Sequence, residues 1–520
     1  HTAIEQHYIN PFENNIEAIY TFPLSSSAVL MGVEIHINNR KLRGTIIGAN
    51  EADEKYEEAI EEGNRAIMVE KNHDGLYTVS IGNLLSKDKI TIILEYTQLL
   101  EWNQDRIKLS IPTVIAQKYG NPSNLNLDNA TTPESSSTAD NRFTFDMSVT
   151  GILIDAIFEA PSHEIEIQKL ELLTKLKLVD KTDSMDRDIT IIIESKKDHN
   201  NRSFALVGKD FEGYSAIASF FPAIDSNYKK ESKHVTFVVD CSGSMSGTSI
   251  SKARIALTKA VINLDEKDTM NLILFGSNYE CVFNIPVPAN AKNKNIISQA
   301  IDQMDSNMGG TEMGLALNEA YNQNKEIDIS SYLFLITDGE IYDHERVIEN
   351  AVQSEMRHFI IGVGYATDSA LLNKIAQSTA GSFENIDPNE QMDQSILNLF
   401  KKIDMPKTKS LKVQWPEEVT ERDEPKYLYD GDTLFAMAKF DKKPIGTVML
   451  EYELEDGKIY SVNCICKEDE YIIDKNPSKV ARIVANTKML KLNDDTQVKS
   501  LSQQYQLFSE ETKYILIDEV

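Results

Sequence analysis

The stretch His234–Met245, HVTFVVDCSGSM, constrains the fold of this chain more than any other. Its first part, Val235–Val239, is a run of β-branched and aromatic residues that predicts one buried strand. Asp240 ends that run, and Ser242 and Ser244 follow at alternate positions. In open α/β sheets, ligands bind beyond the carboxyl ends of the parallel strands. The stretch therefore predicts a strand whose end presents a carboxylate and two hydroxyls to a ligand.

The oxygens of this loop are hard ligands, suited to Mg²⁺, Mn²⁺ or Ca²⁺ rather than to zinc. Asp-x-Ser-x-Ser alone also occurs as a helix cap, and a helix is predicted soon after it, over Thr248–Leu264. Two later segments favour the metal site over the cap. Gly309-Gly310-Thr311 lies just before an amphipathic helix, and the apolar strand Tyr332–Thr337 ends in Asp338-Gly339. Both are expected at the same edge of the sheet, where each adds one hard oxygen.

The region Lys233–Ile403 alternates strands with helices, which predicts a doubly wound parallel sheet with one short hairpin. A Rossmann fold is the structural rival, but the first turn, DCSGSMSG, lacks G-x-G-x-x-G, and no Walker lysine follows. The helix after the Gly-Gly-Thr segment is predicted over Thr311–Gln323 and the last helix over Glu390–Ile403. The predicted strands of this region are Val235–Asp240, Thr269–Phe275, Cys281–Ile285, Tyr332–Thr337, His358–Val363 and Ser382–Asn385.

Length and charge limit the remaining classes. A chain of 520 residues is too long for one core, so three or four domains are expected. Its 81 acidic and 53 basic residues give a formal charge of −28. Such a surface repels nucleic acid and anionic lipid and attracts cations or basic partners, so we expect no nucleic-acid ligand. No apolar stretch is long enough to span a membrane.

The regions on either side of the α/β unit are predicted to be β-rich. Residues 1–120 form a first domain with one helix, Glu51–Glu62, and residues 121–232 form a linker and the first part of a β-sandwich. Residues 404–477 supply the second part, so the α/β domain, 233–403, is predicted to be inserted into the sandwich. Residues 478–520 are predicted to form C-terminal helices and a strand. The predicted strands outside the α/β domain are Ile4–Ile9, Ile16–Phe22, Val29–Ile37, Leu76–Ile81, Ile90–Leu99, Arg106–Ile111, Phe143–Ile152, His163–Leu170, Ile189–Glu194, Phe204–Leu206, Tyr214–Phe221, Leu411–Trp415, Thr433–Phe440, Gly446–Leu454, Ile459–Lys467 and Lys513–Ile517.

The order DxSxS, GGT, TDG resembles the metal-ion-dependent adhesion site of von Willebrand factor A domains. The resemblance implies that Ser242, Ser244 and Thr311 donate hydroxyls to Mg²⁺, Mn²⁺ or Ca²⁺. It also implies that Asp240 and Asp338 bind the ion through water or directly. In relatives, the state of this site is coupled to a shift of the last helix of the domain.

The first domain resembles the vault protein inter-alpha-trypsin (VIT) domain in the phrases YINPFENNIEAIYTFPL, ADEKYEEAIEEGNRA, YTVSIGNLLSKDKITIILEY and LSIPTVIAQKYG. The segment KSLSQQYQLFSEETKYILIDE is similar to the one that follows the A domain in VIT proteins. Almost the whole chain thus resembles inter-alpha-trypsin inhibitor heavy chains and their relatives. Secreted heavy chains carry an Asp-Pro-His-Phe motif for linkage to a glycosaminoglycan. That motif does not occur in this sequence, so covalent attachment to hyaluronan is not expected.

Three function classes follow from these features. The leading one is a protein-binding or adhesion protein, non-enzymatic, in which the metal captures an Asp or Glu side chain of a protein partner. The second is self-assembly into a homo-oligomer, through metal-mediated contacts or through exchange of the strand near His1. The third is a metal-dependent hydrolase, which is disfavoured because no paired base stands near the motif.

The compartment is left open by the sequence. It starts at His1 without a leader, so we expect either a removed signal or a late start. The sequons at Asn129 and Asn201 permit a secreted or cell-surface location rather than a cytoplasmic one. Four cysteines in so long a chain do not form a disulfide framework.

Overall fold

The computed structural model describes residues 1–518 apart from positions 26, 39, 73–74, 114–140, 196–201, 225–229, 339–343, 365–366, 368, 387–391, 407 and 469–476. Most of the predicted linker Asn121–Asn141 and both sequon asparagines lie outside the described residues. The helices are α1 (Ala49–Glu61), α2 (Thr248–Ile262), α3 (Ala291–Gln303), α4 (Met313–Asn324), α5 (His344–Gln353), α6 (Ser369–Ser378), α7 (Met392–Ile403), α8 (Lys479–Met489) and α9 (Asp495–Tyr505).

The strands alternate with these helices only in the middle of the chain. Those before α2 are β1 (Thr2–Ile9), β2 (Ile16–Pro23), β3 (Ala28–Ile37), β4 (Arg40–Leu42), β5 (Thr45–Gly48), β6 (Arg65–Lys71), β7 (Leu76–Leu84), β8 (Lys89–Gln98), β9 (Trp102–Asn103), β10 (Arg106–Ile111), β11 (Arg142–Phe143), β12 (Asp146–Val149), β13 (Ile157–Glu159), β14 (Ile165–Lys169), β15 (Thr174–Leu178), β16 (Asp183–Ser184), β17 (Ile189–Glu194), β18 (Phe204–Lys209), β19 (Tyr214–Phe220) and β20 (His234–Asp240). Those after α2 are β21 (Thr269–Phe275), β22 (Tyr279–Cys281), β23 (Val287–Pro288), β24 (Ser331–Thr337), β25 (Arg357–Val363), β26 (Ser382–Ile386), β27 (Thr408–Gln414), β28 (Glu421–Asp423), β29 (Leu434–Phe440), β30 (Thr447–Leu454), β31 (Ile459–Glu468) and β32 (Thr512–Asp518).

The N-terminal unit consists of two sheets, in the orders β1-β8-β3-β4 and β2-β7-β6-β32-β5. Alternating apolar residues of both sheets, such as Ile35, Val79 and Ile92, are buried in one core. The second sheet includes β32, which pairs antiparallel with β6 and β5. A strand from the end of the described chain therefore completes the fold of its beginning.

A smaller β unit follows, with sheets in the orders β13-β17-β10-β9 and β12-β15-β14 and a separate pair β11-β16. Trp102, Phe158 and Ile191 lie in its core. Strand β10 pairs with β17 along its whole length, so its buried residues pack in this unit and not against β1–β8. The predicted domain boundaries stay predictions.

Strands from both sides of the α/β domain share one seven-stranded sheet, β27-β30-β31-β18-β19-β29-β28. β19 pairs with β29 over seven residues, from Tyr214 with Phe440 to Phe220 with Leu434. Helices α8 and α9 cover part of this sheet and also contact Val29 and Met31 of the N-terminal unit. The predicted fold class, a β structure split by an inserted doubly wound α/β domain, is confirmed.

The α/β domain has the strand order β22-β21-β20-β24-β25-β26, and β20, β21, β24, β25 and β26 are parallel. Helices α2, α3 and α7 pack on one face, and α4, α5 and α6 pack on the other. The strands are almost fully buried because both faces are covered, which explains their continuous apolar runs.

The predicted strand Cys281–Ile285 is wrong. β22 ends at Cys281, after pairing antiparallel with β21, and β23 begins only at Val287. The side chain of Asn271 bonds both the amide (3.2 Å) and the carbonyl (2.8 Å) of Phe283. A side chain thus satisfies backbone groups that a strand partner would otherwise bind.

The amino edge of the parallel sheet is attached to the rest of the molecule by buried charges. The ammonium group of Lys233, just before β20, lies 3.1 Å from Asp268 and 2.6 Å from Asp404. Lys402 of α7 lies 2.6 Å from Asp432, which belongs to the segment between β28 and β29. The entry and the exit of the inserted domain are therefore held together by ion pairs.

Candidate metal centre

The predicted site lies where the order of the parallel strands reverses. The chain runs from β20 to β21 on one side and then returns to β24 on the other side of β20. Asp240 ends β20, and Thr337 ends β24, with Val239 opposite Ile336 in the parallel register. This topological switch point is the position at which open α/β sheets bind ligands.

The loop after β20 orients its oxygens through its own hydrogen bonds. The Asp240 carboxylate accepts a bond from the amide of Ser242 (2.9 Å) and one from the hydroxyl of Thr337 (2.7 Å). The hydroxyls of Ser242 and Ser244 lie 3.0 Å apart, on a 3-10 turn over Gly243–Met245. Ser242 is buried and Ser244 is exposed, so the hydroxyl pair runs from the interior to the surface.

The Gly-Gly-Thr segment is bonded to this loop through the backbone. The amide of Met308 donates to the carbonyl of Cys241 (3.0 Å), and the amide of Gly243 donates to the carbonyl of Gly309 (3.0 Å). Two residues later in the same segment, half-buried Thr311 stands just before α4. The two loops are therefore fixed relative to each other, although they are distant in sequence.

A third loop, after β21, holds the Gly-Gly-Thr segment from the opposite side. The amide of Ser277 donates to the carbonyl of Met308 (2.7 Å), and the amide of Gly310 donates to the hydroxyl of Ser277 (2.8 Å). A Cβ at Gly276 would lie 2.4 Å from that of Met308, so only glycine fits there. Gly309 has a φ of +86°, which also favours glycine.

The electrostatics of the site are those of crowded carboxylates. Asp240 is 0% exposed and Asp338 is 8% exposed. Burial and then the charge of Asp338 raise the pKa of Asp240 to about 7, against the opposing effect of the bonds from Ser242 and Thr337. A divalent cation would offset this cost, and the hydroxyl and carboxylate oxygens are ligands that Mg²⁺ and Ca²⁺ accept. The residues present fit the predicted ion.

The structure places Asp240, Ser242 and Ser244 on one loop, and it brings the segment with Thr311 and the end of β24 next to that loop. Metal ligation by these residues and by Asp338 stays a prediction. Within the described ranges, no three His, Cys, Asp or Glu side chains are grouped so that they could hold a metal ion. The predicted set differs in kind, because it combines two carboxylates with three hydroxyls.

Sequence reasoning did not single out Thr337, Gly276 and Ser277 as parts of the site. Thr337 is the first residue of the TDG motif, but the sequence assigns it no role, and in the structure its hydroxyl donates to the Asp240 carboxylate. Gly276 and Ser277 follow β21 at the same edge of the sheet, and that position was the signal that could have found them.

Two family models match the chain. The model described as vault protein inter-alpha-trypsin domain matches residues 1–96, and the model described as von Willebrand factor type A domain matches residues 234–397. The chain thus contains a VIT domain and a von Willebrand factor A domain. Domains of the second type mediate protein interactions.

Relatives with the same domain include a von Willebrand factor A domain-containing protein of Dictyostelium discoideum, 25% identical over 84% of this chain and 46% of that protein. The human von Willebrand factor A domain-containing protein 5A is 25% identical over 87% of this chain and 62% of that protein. The chain spans about half the length of the first Dictyostelium relatives, from 44% to 53%. The names of these relatives describe a domain and no enzymatic activity.

Among solved structures, a von Willebrand factor type A protein from Catenulispora acidiphila covers 57% of this chain and 80% of its own, with 16% identity and a TM-score of 0.37. A likeness at that score is too weak to bear on function. In the part of the chain that the structure describes, every helix is too short or too polar to cross a membrane.

Proposed function

We propose that this protein binds other proteins in a divalent-metal-dependent manner, through a metal-ion-dependent adhesion site at the switch point of its α/β domain. Ser242, Ser244 and Thr311 would hold Mg²⁺, or Mn²⁺ or Ca²⁺, with Asp240 and Asp338 next to it. When bound, the ion supplies an electrophilic position that a carboxylate of the partner can fill. The observation that carries the proposal is the fully buried Asp240 carboxylate beside a second buried acid, with the serine hydroxyls leading to the surface.

The residues of the chain contribute by orientation. Thr337 and the Ser242 amide fix both oxygens of Asp240, so that carboxylate cannot rotate freely. The bonds from Met308 and Gly243 fix the distance between the serine loop and the segment that carries Thr311. A partner carboxylate would then meet a site whose geometry exists before binding, which lowers the entropic cost of association.

The test combines metal binding with partner binding. Ser242→Ala with Ser244→Ala should abolish Mg²⁺ and Mn²⁺ binding in calorimetry and leave the circular dichroism spectrum unchanged. The wild type should gain about 2.7 kcal/mol of stability at a free ion concentration of 100 times its Kd, and the variant should gain none. Ser251→Ala is the matched control, because Ser251 is an exposed helix residue whose hydroxyl donates to the carbonyl of Gly247.

A pull-down in Mg²⁺ and in EDTA completes the experiment. Partners should be retained in Mg²⁺ and lost in EDTA, and the particle size in light scattering should not change. A particle size that falls in EDTA would favour the self-assembling alternative. Unchanged ion affinity in the double serine variant would refute the site.

A further inference from the structure

A cavity of about 710 Å³ lies between the edges of the two main sheets of the smaller β unit. Its wall includes Phe158 of β13 and Ile165 and Ile167 of β14, and each of these strands is the last of its sheet. Ile167 lies opposite the fully buried Leu176 in the strand register, yet Ile167 is 40% exposed. An inward-facing apolar side chain is therefore uncovered here. A cavity of this volume is typical of sites for small ligands.

One of the residues that line the cavity is a buried histidine with an unsatisfied nitrogen. His163 is 3% exposed, and its Nδ1 lies 2.8 Å from the hydroxyl oxygen of Ser162. That oxygen accepts a bond from the amide of Thr190 (2.9 Å), and we assign its own hydrogen to Nδ1, which places the hydrogen of the ring on Nε2. Among the described residues, Nε2 has no hydrogen-bond partner. A buried donor of this kind costs free energy, which an acceptor on a ligand would recover.

Two guanidinium groups are held at the same cavity by backbone carbonyls. Arg187 donates to the carbonyl of Ser162 (2.5 Å), next to His163, and also contacts Asp183 at 3.4 Å. Arg142 donates to the hydroxyl (3.2 Å) and the carbonyl (3.4 Å) of Thr182. These donors, together with Nε2 of His163, form a part of the wall that suits a carboxylate.

A second part of the wall has the opposite charge. Glu164 and Asp180 line the cavity, and both are exposed. The amide of Val179 donates to the carbonyl of Glu164 (3.1 Å), so the two acidic residues are held on adjacent segments. In the part of the chain that the structure describes, neither carboxylate is paired with a cation. The cavity therefore combines cationic and anionic groups with an apolar surface.

We propose that this cavity binds a short peptide with free termini. The carboxylate of the peptide accepts from His163 and the arginines, and its ammonium group lies between Glu164 and Asp180. Apolar side chains of the peptide cover Ile167 and the neighbouring apolar wall. The inference does not depend on the metal centre, which lies in a different domain.

The mixture of charges determines the class of ligand. A purely anionic ligand would be repelled by Glu164 and Asp180, whereas a purely cationic one would be repelled by the arginines and would leave Nε2 without an acceptor. A zwitterion meets opposite charge at both of its ends. A sphere with the volume of the cavity is about 11 Å across, and an extended tripeptide covers about 10 Å at about 3.3 Å per residue. A tripeptide thus matches the cavity in length.

The experiment is titration calorimetry of the full chain at pH 7.5 with the tripeptide Leu-Ala-Leu and with its N-acetylated and C-amidated forms. The free tripeptide should bind, and each blocked form should bind at least about tenfold more weakly, because each loses one charge-assisted contact. Affinity should be the same in EDTA and in Mg²⁺. Free leucine should bind more weakly than the tripeptide, because it cannot reach both parts of the wall.

Substitutions of exposed residues separate the two ends of the site. Glu164→Gln with Asp180→Asn should abolish the preference for a free amino terminus and keep the preference for a free carboxylate. Arg142→Gln should reduce the preference for a free carboxylate and keep the other. The matched controls are Glu166→Gln and Lys169→Gln, which change exposed residues of β14 outside the cavity wall and should keep both preferences.

Three results would overturn the inference. The first is the absence of binding by the free tripeptide up to about 1 mM, which corresponds to about −4 kcal/mol. The second is equal affinity of the free and blocked forms, or equal affinity of free leucine and the tripeptide. The third is that both preferences survive in the Glu164 and Asp180 variant and in the Arg142 variant. None of these results would bear on metal binding in the α/β domain.

Discussion

At the amino edge of the parallel sheet, buried Asp268 and Asp404, whose side chain is 11% exposed, lie beside Lys233, whereas at the carboxyl edge Asp240 is buried beside another acid, Asp338. Burial by itself lowers the pKa of Lys233, but Asp404 and Asp268 outweigh it and raise that pKa. Burial and Asp338 both raise the pKa of Asp240. The same domain therefore balances its buried carboxylates with its own lysine at one edge and with hydroxyl and amide dipoles at the other.

The difference distinguishes a structural site at the amino edge from the proposed binding site at the carboxyl edge. A lysine is covalently part of the chain, so the charges at the amino edge are balanced whenever the domain is folded. Dipoles balance a carboxylate only partly, which supports the proposal that the carboxyl edge binds a cation. Four predictions test this comparison.

The largest effect is expected at the amino edge. Lys233→Met should lower the free energy of unfolding by about 3–5 kcal/mol, because it leaves the buried carboxylate of Asp268 without its ammonium partner. Urea denaturation measures the change. Lys230→Met is the matched control, because Lys230 contacts the same Asp404 from an exposed position and should cost less than about 1 kcal/mol. Equal losses in the two variants would contradict the role of burial.

The second effect concerns pH at the same edge, where His358 is buried on β25 between the hydroxyl of Tyr321 (2.9 Å) and the carbonyl of Met356 (3.0 Å). Burial lowers its pKa from 6.5 to about 4. The unfolded state therefore binds more protons between these values, and stability falls as the pH drops through that window. His358→Gln should remove this pH dependence, which amounts to at most about 3 kcal/mol in the free energy of unfolding. Denaturation at pH 7 and pH 4.5 measures it, with His7→Gln, an exposed residue, as the control that keeps the wild-type slope.

The third prediction is that an Asp→Asn substitution changes the stability of the protein in opposite directions at the two edges. Asp240→Asn should raise the stability of the metal-free protein by about 1–2 kcal/mol at pH 8, because it removes a buried charge that Asp338 repels. It should also remove any further stabilisation by Mg²⁺. The same substitution at Asp268 should destabilise the protein, since Asp268 accepts bonds from the amides of Lys233 and Asp265 and pairs with the Lys233 ammonium group. Thermal unfolding of both variants, with and without Mg²⁺, measures these changes in stability. If Asp240→Asn destabilises the metal-free protein, the proposed difference between the two edges is wrong.

The smallest effect is expected in the loop after β21. Ser277→Ala removes the acceptor of the Gly310 amide and should cost about 1 kcal/mol of stability. Because that bond holds the segment with Thr311, Mn²⁺ affinity should also fall a few-fold in calorimetry. Ser251→Ala should change neither quantity. A loss of stability with unchanged ion affinity would show that this loop does not shape the site.

The buried strands of the α/β domain could be predicted because their sequence and their environment agree. β20, β24 and β25 are continuous apolar runs, and each was predicted to within one residue of its observed bounds. The same reasoning failed at Cys281–Ile285, where the Asn271 side chain replaces a strand partner. A local apolar run does not reveal that the hydrogen bonds are made by a distant amide side chain.

The parts of the candidate site whose residues are close together in the sequence could be predicted. The Asp-x-Ser-x-Ser loop could be read as a unit, and the end of β24 could be placed at the same edge. The position of Ser277 after β21 places it at that edge, but the sequence does not show that its hydroxyl accepts from the Gly310 amide or that Thr337 donates to Asp240, because each contact depends on the register between segments that are distant in sequence. The strands that pair with β32 could not be predicted for the same reason. The sequence of β32 indicates a strand, but it does not indicate which sheet that strand joins.

The position of β32 also determines the order in which the polypeptide can mature on the ribosome. β32 lies between β6 and β5, so the N-terminal sheet stays incomplete until residues 512–518 have been translated and have left the exit tunnel. The parallel sheet needs only residues 234–386 and has mostly nearby strands, so it can form while translation continues. The N-terminal sheet is thus translated before the α/β domain but is completed after it, and until then β5 and β6 lack the strand that lies between them.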